Sequence, residues 1–336
     1  MRASIVVLGF GPEPHLADCL RALVADAGPA DEILLVDNGI AVDLPEVLTR
    51  APVRRLGTGE NAGFTGGCRA AAGIARGEVL VFVNSDAVVR PGAVDVLVDA
   101  ARTAGTGVVG GCLRLADRPD LVNSAGNPLH YLGVTWAGHC GEPAADHRVP
   151  GEVAVATGGL CSLRREIWDE LGGFDEAYFA YHEDTDLCVR ARLAGLTVRY
   201  EPAAVADHHY EFSRHPRKMY LLERNRWLTV LGDYPAPLLR RVLPVLLLVE
   251  LPLLAAALLQ GWGRQKLRAW WWLLRHARLV RARRRRVQAC VTEGPGVLAR
   301  LMVSRIEPPM VAPPPGMGLL NRALERYWSR VLRRLG

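Results

Sequence analysis

Short, unbroken runs of apolar residues alternate with amphipathic stretches over the first hundred positions. Ser4–Leu8, residues 33–37, 53–56 and Leu80–Val83 each read as a strand buried on both faces. Between them, residues 14–26, 65–75 and 91–102 carry the spacing of helices, with Pro14 and Pro91 placed where first turns begin. This alternation predicts an α/β fold: a Rossmann-like, mainly parallel sheet with helices on both faces. Residues 106–113 read as the next strand, 114–150 as irregular, 153–163 as a glycine-interrupted strand and 215–227 as a helix. Beyond about 237 the pattern changes. Val242–Leu259 is apolar for roughly the length of a membrane span, broken by Glu250, Pro244 and Pro252. Four tryptophans (262, 270, 271 and 272) and five arginines within 281–286 follow, and a basic amphipathic helix is expected over 319–335. The chain therefore divides into 1–235, a catalytic domain, and 236–336, a helical, hydrophobic and basic tail.

Composition sharpens this picture in two ways. Half of the 336 residues are hydrophobic and the net charge is +6, which suits anionic partners and contact with an anionic membrane surface. An in-plane or re-entrant hairpin competes with a full span, because a central carboxylate such as Glu250 costs about 2.5–3.5 kcal/mol in the bilayer. The seven cysteines form no Cys-x-x-Cys and read as reduced thiols, and no signal peptide opens the chain; both suit the cytoplasm. The basic tail interleaves too many apolar residues for nucleic acid, and no nucleic-acid module is present.

Candidate chemistry concentrates in three segments. Gly172-Gly173-Phe174-Asp175-Glu176 leads into His182-Glu183-Asp184-Thr185-Asp186 and on to Arg190, putting three carboxylates at a helix start. At helical spacing Glu183, Asp186 and Arg190 share a face and Asp184 points elsewhere, a suitable mount for a general base. Acids also simply favour that end of a helix. Asn84-Ser85-Asp86 ends the apolar strand, where ligands of open α/β sheets bind, although all three residue types also favour turns. Glu60-Asn61-Ala62-Gly63-Phe64-Thr65-Gly66-Gly67 is a glycine-rich loop running into a helix, whose free amides suit a phosphate.

These segments together resemble family 2 glycosyltransferases, in particular their rhamnosyltransferase-like branch, over roughly residues 1–230. The resemblance implies the GT-A fold and an inverting sugar transfer from a nucleotide-diphosphate donor. It implies that Asp184 is the base, with Glu183 and Asp186 orienting acceptor or base and able to exchange roles with it. Donor contacts are implied for Asp37, Asn61, Gly63, Gly66, Asn84, Asp86 and Arg224. A divalent ion, Mg²⁺ or Mn²⁺, is implied on Asp86 and His208, in a segment ending near Ser213. Asn84 replaces the first acid of the family's Asp-x-Asp motif, and Gly9-Phe10-Gly11-Pro12 departs from its usual first loop. The branch suggests dTDP-rhamnose as donor. The tail suggests a glycan or polyprenyl-linked acceptor, used in cell-surface polysaccharide synthesis at the cytoplasmic face of the membrane. A catalytically silent nucleotide-sugar-binding membrane protein of the same fold is the alternative.

Overall fold

The computed structural model describes residues 1–50, 52–210, 215–309, 313 and 316–335; Ser213 lies outside them. The chain forms two compact units. One comprises Met1–Asn127, Ala137–Ala191 and Leu196–Glu211; the other comprises Pro128–Trp136, Arg192–Gly195 and Phe212–Gly336, so the second takes in the helix before the tail as well.

The first unit begins with the expected alternation: β1 (Ala3–Gly11), α1 (Leu16–Asp26), β2 (Asp31–Ile40), β3 (Val53–Gly57), α2 (Gly63–Ile74), β4 (Val79–Asn84), β5 (Ala87–Val89) and α3 (Ala93–Arg102). β1 pairs in parallel with β2 and β4, and β2 with β3. In α1, Leu16, Cys19, Leu20 and Leu23 form one buried stripe, and Val94, Leu97, Val98 and Ala101 do the same in α3. Both helices start two residues after the proline. At α3 the reason is visible: the Asp26 carboxylate accepts from the amides of Gly92 and Val94, 2.9 Å for the latter, and Gly92 takes the left-handed conformation (φ 85°).

The chain continues through β6 (Thr106–Leu115), β7 (Arg118–Ser124), β8 (Leu129–His130), β9 (Gly151–Glu152), β10 (Leu160–Arg164), α4 (Arg165–Leu171), α5 (Glu183–Leu193) and β11 (Thr197–His208). Residues 114–150 are thus less irregular than the sequence suggests, since β7 pairs antiparallel with β6. The strand expected over 153–163 is confined to Leu160–Arg164. The main sheet runs β3-β2-β1-β4-β10-β6-β11-β5. β10 is antiparallel to both β4 and β6, so parallel order stops at β4 and resumes between β6 and β11. Two consequences matter for the site. The antiparallel entry of β10 brings Gly158 and Gly159 to the carboxyl end of β4, where the Asn84 amide donates to the Gly159 carbonyl at 3.0 Å. The β5–β11 pairing sets His208 opposite Ala87, beside Asp86.

The second unit is helical: α6 (Pro216–Asp233), α7 (Ala236–Leu259), α8 (Gly263–Arg275), α9 (Ala277–Ala289), α10 (Pro295–Leu301) and α11 (Met317–Leu335), with β12 (Met302–Val303) pairing in parallel with β8. α7 runs through Pro244 and Pro252 without a break. Its buried residues, Leu238, Val242, Leu246, Val249, Glu250 and Ala257, lie on one face, while Leu247, Leu248, Leu251, Leu258 and Leu259 are exposed. Glu250 therefore does not interrupt the apolar surface but points inward. Its Oε1 meets Arg226 Nη2 at 2.5 Å and its Oε2 meets Lys266 Nζ at 2.7 Å. Glu223 joins the same two cations at 2.8 and 2.6 Å, which ties α6, α7 and α8 together around two acids and two bases.

Two further expectations about the tail change. Of the four tryptophans only Trp271 is largely exposed; Trp270 lies beneath Lys266 and Trp272 beneath Arg224. Of the five arginines, Arg283 is buried on Asp233 at 2.6 Å, and Arg284 donates to the Leu231 and Tyr234 carbonyls. Both close the C-terminal end of α6, where carbonyls lack helical partners. Arg281, Arg285 and Arg286 remain outward.

Candidate active site

The first unit assembles most of the sequence-predicted site at one end of the sheet. Asp86 Oδ1 lies 3.1 Å from His208 Nε2, across 122 positions of sequence. His208 Nδ1 lies 2.8 Å from Asn123 Oδ1. With the amide oxygen so assigned, Nδ1 carries the proton and donates, which leaves Nε2 with a lone pair. That lone pair faces a carboxylate oxygen, and two acceptors at this distance need a cation between them, a proton or a metal ion. An imidazole oriented through its other nitrogen, beside a partly exposed carboxylate, is a donor set that fits Mn²⁺ or Mg²⁺. Asn123 was missed in the sequence because β7 lies in a stretch with no motif.

The acidic segment stands against the same glycine turn. Asp184 Oδ2 accepts from the Gly158 amide at 3.0 Å, and Oδ1 accepts from the Thr185 amide at 2.6 Å and its hydroxyl at 3.2 Å. Gly158 and Gly159 thus touch Asp184 on one side and Asn84 on the other, joining the β4 end to the start of α5. Ahead of α5 the backbone is held left-handed at three non-glycine residues, Phe179, Tyr181 and His182 (φ 64°, 67° and 69°). Strain of this kind costs about 1–3 kcal/mol per residue and is characteristic of functional sites.

The three acids have different environments. Asp184 is partly accessible; burial pushes its carboxyl up, against the amide hydrogen bonds that pull it down. Glu183 is buried, and its Oε2 has no hydrogen-bond partner among the described residues. Burial, and then the neighbouring Asp184, push it up to about 8. The two adjacent carboxyls are both raised, and their titration steps belong to the pair. Asp186 is fully buried, bound to Arg190 (Nε at 3.0 Å) and to the Tyr178 hydroxyl at 3.4 Å. Arg190 also donates to the Leu171 and Gly173 carbonyls, so Asp186 acts through Arg190 on the turn at Gly172 and Gly173.

In the glycine-rich loop at α2 three backbone amides have partners within the protein. The Ala62 amide donates to Asn38 Oδ1, the Gly63 amide to Asn61 Oδ1 and the Thr65 amide to the Phe179 carbonyl. These helix-start amides are already engaged. A Cβ at Gly63 (φ 74°) would lie 2.4 Å from the Phe179 oxygen, and one at Gly66 would press on Ala62 Cβ at 3.0 Å. Asn61, Gly63 and Gly66 thus seat α2 against the segment that leads to Glu183. Asp37 caps its own turn through the Gly39 and Ile40 amides and pairs with Arg55 at 2.5 Å; burial raises its carboxyl, but these partners outweigh it and hold it low. Arg224 belongs to the second unit, stacked on Tyr220 and Trp272 with its Nε on Asn225 Oδ1 at 2.9 Å.

Residues 2–229 match the family described as Glycosyltransferase like family 2. The chain is 31% identical over 232 residues to the N-acetylglucosaminyl-diphospho-decaprenol L-rhamnosyltransferase of Mycobacterium tuberculosis (strain ATCC 25618 / H37Rv), covering 61% of this chain and 75% of that one. Over 70 residues it is 36% identical to Rhamnosyltransferase WbbL of Escherichia coli (strain K12), covering 21% and 25% of the two chains. Among solved structures it is similar to the mannosyltransferase PcManGT from Pyrobaculum calidifontis in complex with GDP-Man and Mn²⁺. The TM-score is 0.52 at 17% identity, covering 86% of this chain and 84% of that one. It is also similar to GalNAc-T7 with UDP, GalNAc and Mn²⁺, with a TM-score of 0.55 at 14% identity, covering 70% of this chain and 48% of that one. The mixed sheet, the paired Asp86 and His208 and the carboxylates of α5 sit within the family match, and the chain belongs to the family 2 glycosyltransferases, with the GT-A fold.

Proposed function

We propose that this glycosyltransferase inverts the anomeric centre as it moves a sugar from a nucleotide-diphosphate donor, dTDP-rhamnose, to a hydroxyl of a polyprenyl-linked glycan in cell-surface polysaccharide synthesis. The observation that carries this reading is the glycine turn 158–159, which bonds Asp184 on one side and the Asn84 strand end on the other. A base and a donor site are thereby held side by side. Asp184 takes the proton from the acceptor hydroxyl, whose oxygen attacks the anomeric carbon opposite the departing diphosphate. Glu183 holds the neighbouring proton. Asp86 and His208 would hold a divalent ion, which supplies Lewis-acid stabilisation of the leaving diphosphate. The choice of rhamnose and of a lipid-linked acceptor rests on the rhamnosyltransferases among the relatives.

Residues 236–336 attach the enzyme to an anionic membrane surface at its cytoplasmic face. The outward leucines of α7, with Glu250 turned inward, support an in-plane, monotopic attachment over a span.

Titration of the protein with dTDP-rhamnose, with and without Mn²⁺ or Mg²⁺, followed for binding, slow hydrolysis and transfer to a polyprenyl-diphosphate N-acetylglucosamine acceptor, tests the reading. Asp86→Ala is expected to weaken nucleotide binding and abolish its metal response together. Unchanged affinity and metal response would remove Asp86 from the site. Donor binding without hydrolysis or transfer to any acceptor would favour the silent nucleotide-sugar-binding alternative.

A further inference from the structure

A second cluster of ligating side chains lies in the first unit, on the stretch between β7 and β9. His139, Glu142 and His147 place one ligand atom each within 4.8 Å of one another, the one group of three His, Cys, Asp or Glu so arranged among the described residues. Glu142 Oε2 lies 3.1 Å from His139 Nδ1 and 2.8 Å from His147 Nε2, and the two rings stand 4.3 Å apart. The backbone that presents them is fixed. Val122 pairs with Gly141 and Glu142, the Ala125 amide donates to Gly138, and the Tyr200 hydroxyl donates to the His147 carbonyl at 3.0 Å. His139 itself sits in the left-handed region (φ 62°). Two imidazoles and a carboxylate, partly exposed and converging, suit a transition-metal ion with water completing its shell.

We propose that His139, Glu142 and His147 bind a divalent transition-metal ion of the zinc class, distinct from any ion at Asp86. The ion clamps the loop 139–147. Cys140, between the first two ligands, has its Sγ 3.9 Å from Asn123 Nδ2, and Asn123 Oδ1 holds His208. The clamp therefore backs the residue that orients His208. The binding itself does not depend on the sugar-transfer reading.

Full-length protein freed of metal with a chelator is titrated with Co²⁺, read by its visible absorption, and with Zn²⁺ in competition. Wild type and Asp86→Ala are both expected to show the Co²⁺ absorption of this site, displaced by Zn²⁺. His147→Gln, Glu142→Gln and His139→Asn, the last keeping a residue that tolerates φ > 0, should each weaken binding by more than the ~10–100-fold seen on losing an outer-shell partner of a metal. Circular dichroism establishes that the variants are folded. Absence of Co²⁺ binding by the wild type, loss of the signal in Asp86→Ala alone, or an unchanged spectrum in folded His147→Gln and Glu142→Gln would each overturn the proposal.

Discussion

Two buried charge clusters, one in each unit, are handled in opposite ways. In the second unit Glu223 and Glu250 face Arg226 and Lys266, so the charges balance. Burial alone would raise Glu223, but the two cations hold it down at about 2. In the first unit Arg190 serves Asp186, while beside it Asp184 is bonded to two amides and a hydroxyl and the Glu183 Oε2 has no hydrogen-bond partner among the described residues. There burial wins, and Glu183 is pushed up to about 8. A balanced buried cluster fixes helices; an unbalanced one leaves a proton that can move.

The most damaging way to break the unbalanced cluster is Asp184→Asn. It should lower transfer by ~10²–10⁴-fold while leaving nucleotide affinity nearly unchanged, since the amide keeps the shape but cannot take a proton. Steady-state rates and a nucleotide titration on the same sample check both halves. The counterpart is Lys266→Met, which leaves two buried carboxylates with one cation. Removal of one partner of a buried pair costs about 3–5 kcal/mol, so the urea midpoint should fall sharply. A change under ~1 kcal/mol would mean that balance is not what distinguishes the clusters.

Glu183→Gln sharpens the comparison through pH. A carboxyl raised in the folded state keeps its proton while the unfolded chain releases one, so wild-type stability falls as pH rises from about 4.5 towards 8. Gln has no proton to lose, and the variant should lack that part of the decline in thermal melts taken across this range. Its rate should keep the acid limb set by Asp184, above the ordinary carboxylate range, and lose any alkaline change near 8. The smallest effect is expected outside both clusters. Leu248→Gln with Leu251→Gln, both largely exposed, should leave stability within ~0.5 kcal/mol yet move the protein from the membrane pellet to the soluble fraction. Retention in the pellet would point to the arginines instead, and high-salt extraction would then release it.

Much of the first unit was legible because its strands are buried on both faces and its helices carry clean apolar stripes. The acidic segment was legible because its residues are consecutive. What could not be read were partners brought in from far along the chain. Asn123 reaches His208 over 85 positions, and Arg226 and Lys266 take Glu250 inward, which reverses its meaning for the tail. The α2 loop shows a related ambiguity. Glycines that suit a phosphate equally suit close approach of a backbone, and the approach of Phe179 to Gly63 could not be read from the sequence.

The turn at Gly158 and Gly159 works as a feeler gauge whose thickness is set by atoms that are missing. A methyl group on Gly158 would stand 3.3 Å from Asp184 Cβ, and one on Gly159 would stand 3.0 Å from Leu113 Cδ1 and 3.3 Å from Asn84 Nδ2. Each contact is tight enough to displace its neighbour by a few tenths of an ångström. One shim presses on Asp184, the other on Leu113 and on the strand end that leads to Asp86. The clearance between the Asp184 side and the Asn84 side of the turn is thus encoded in the side-chain hydrogens of two adjacent glycines.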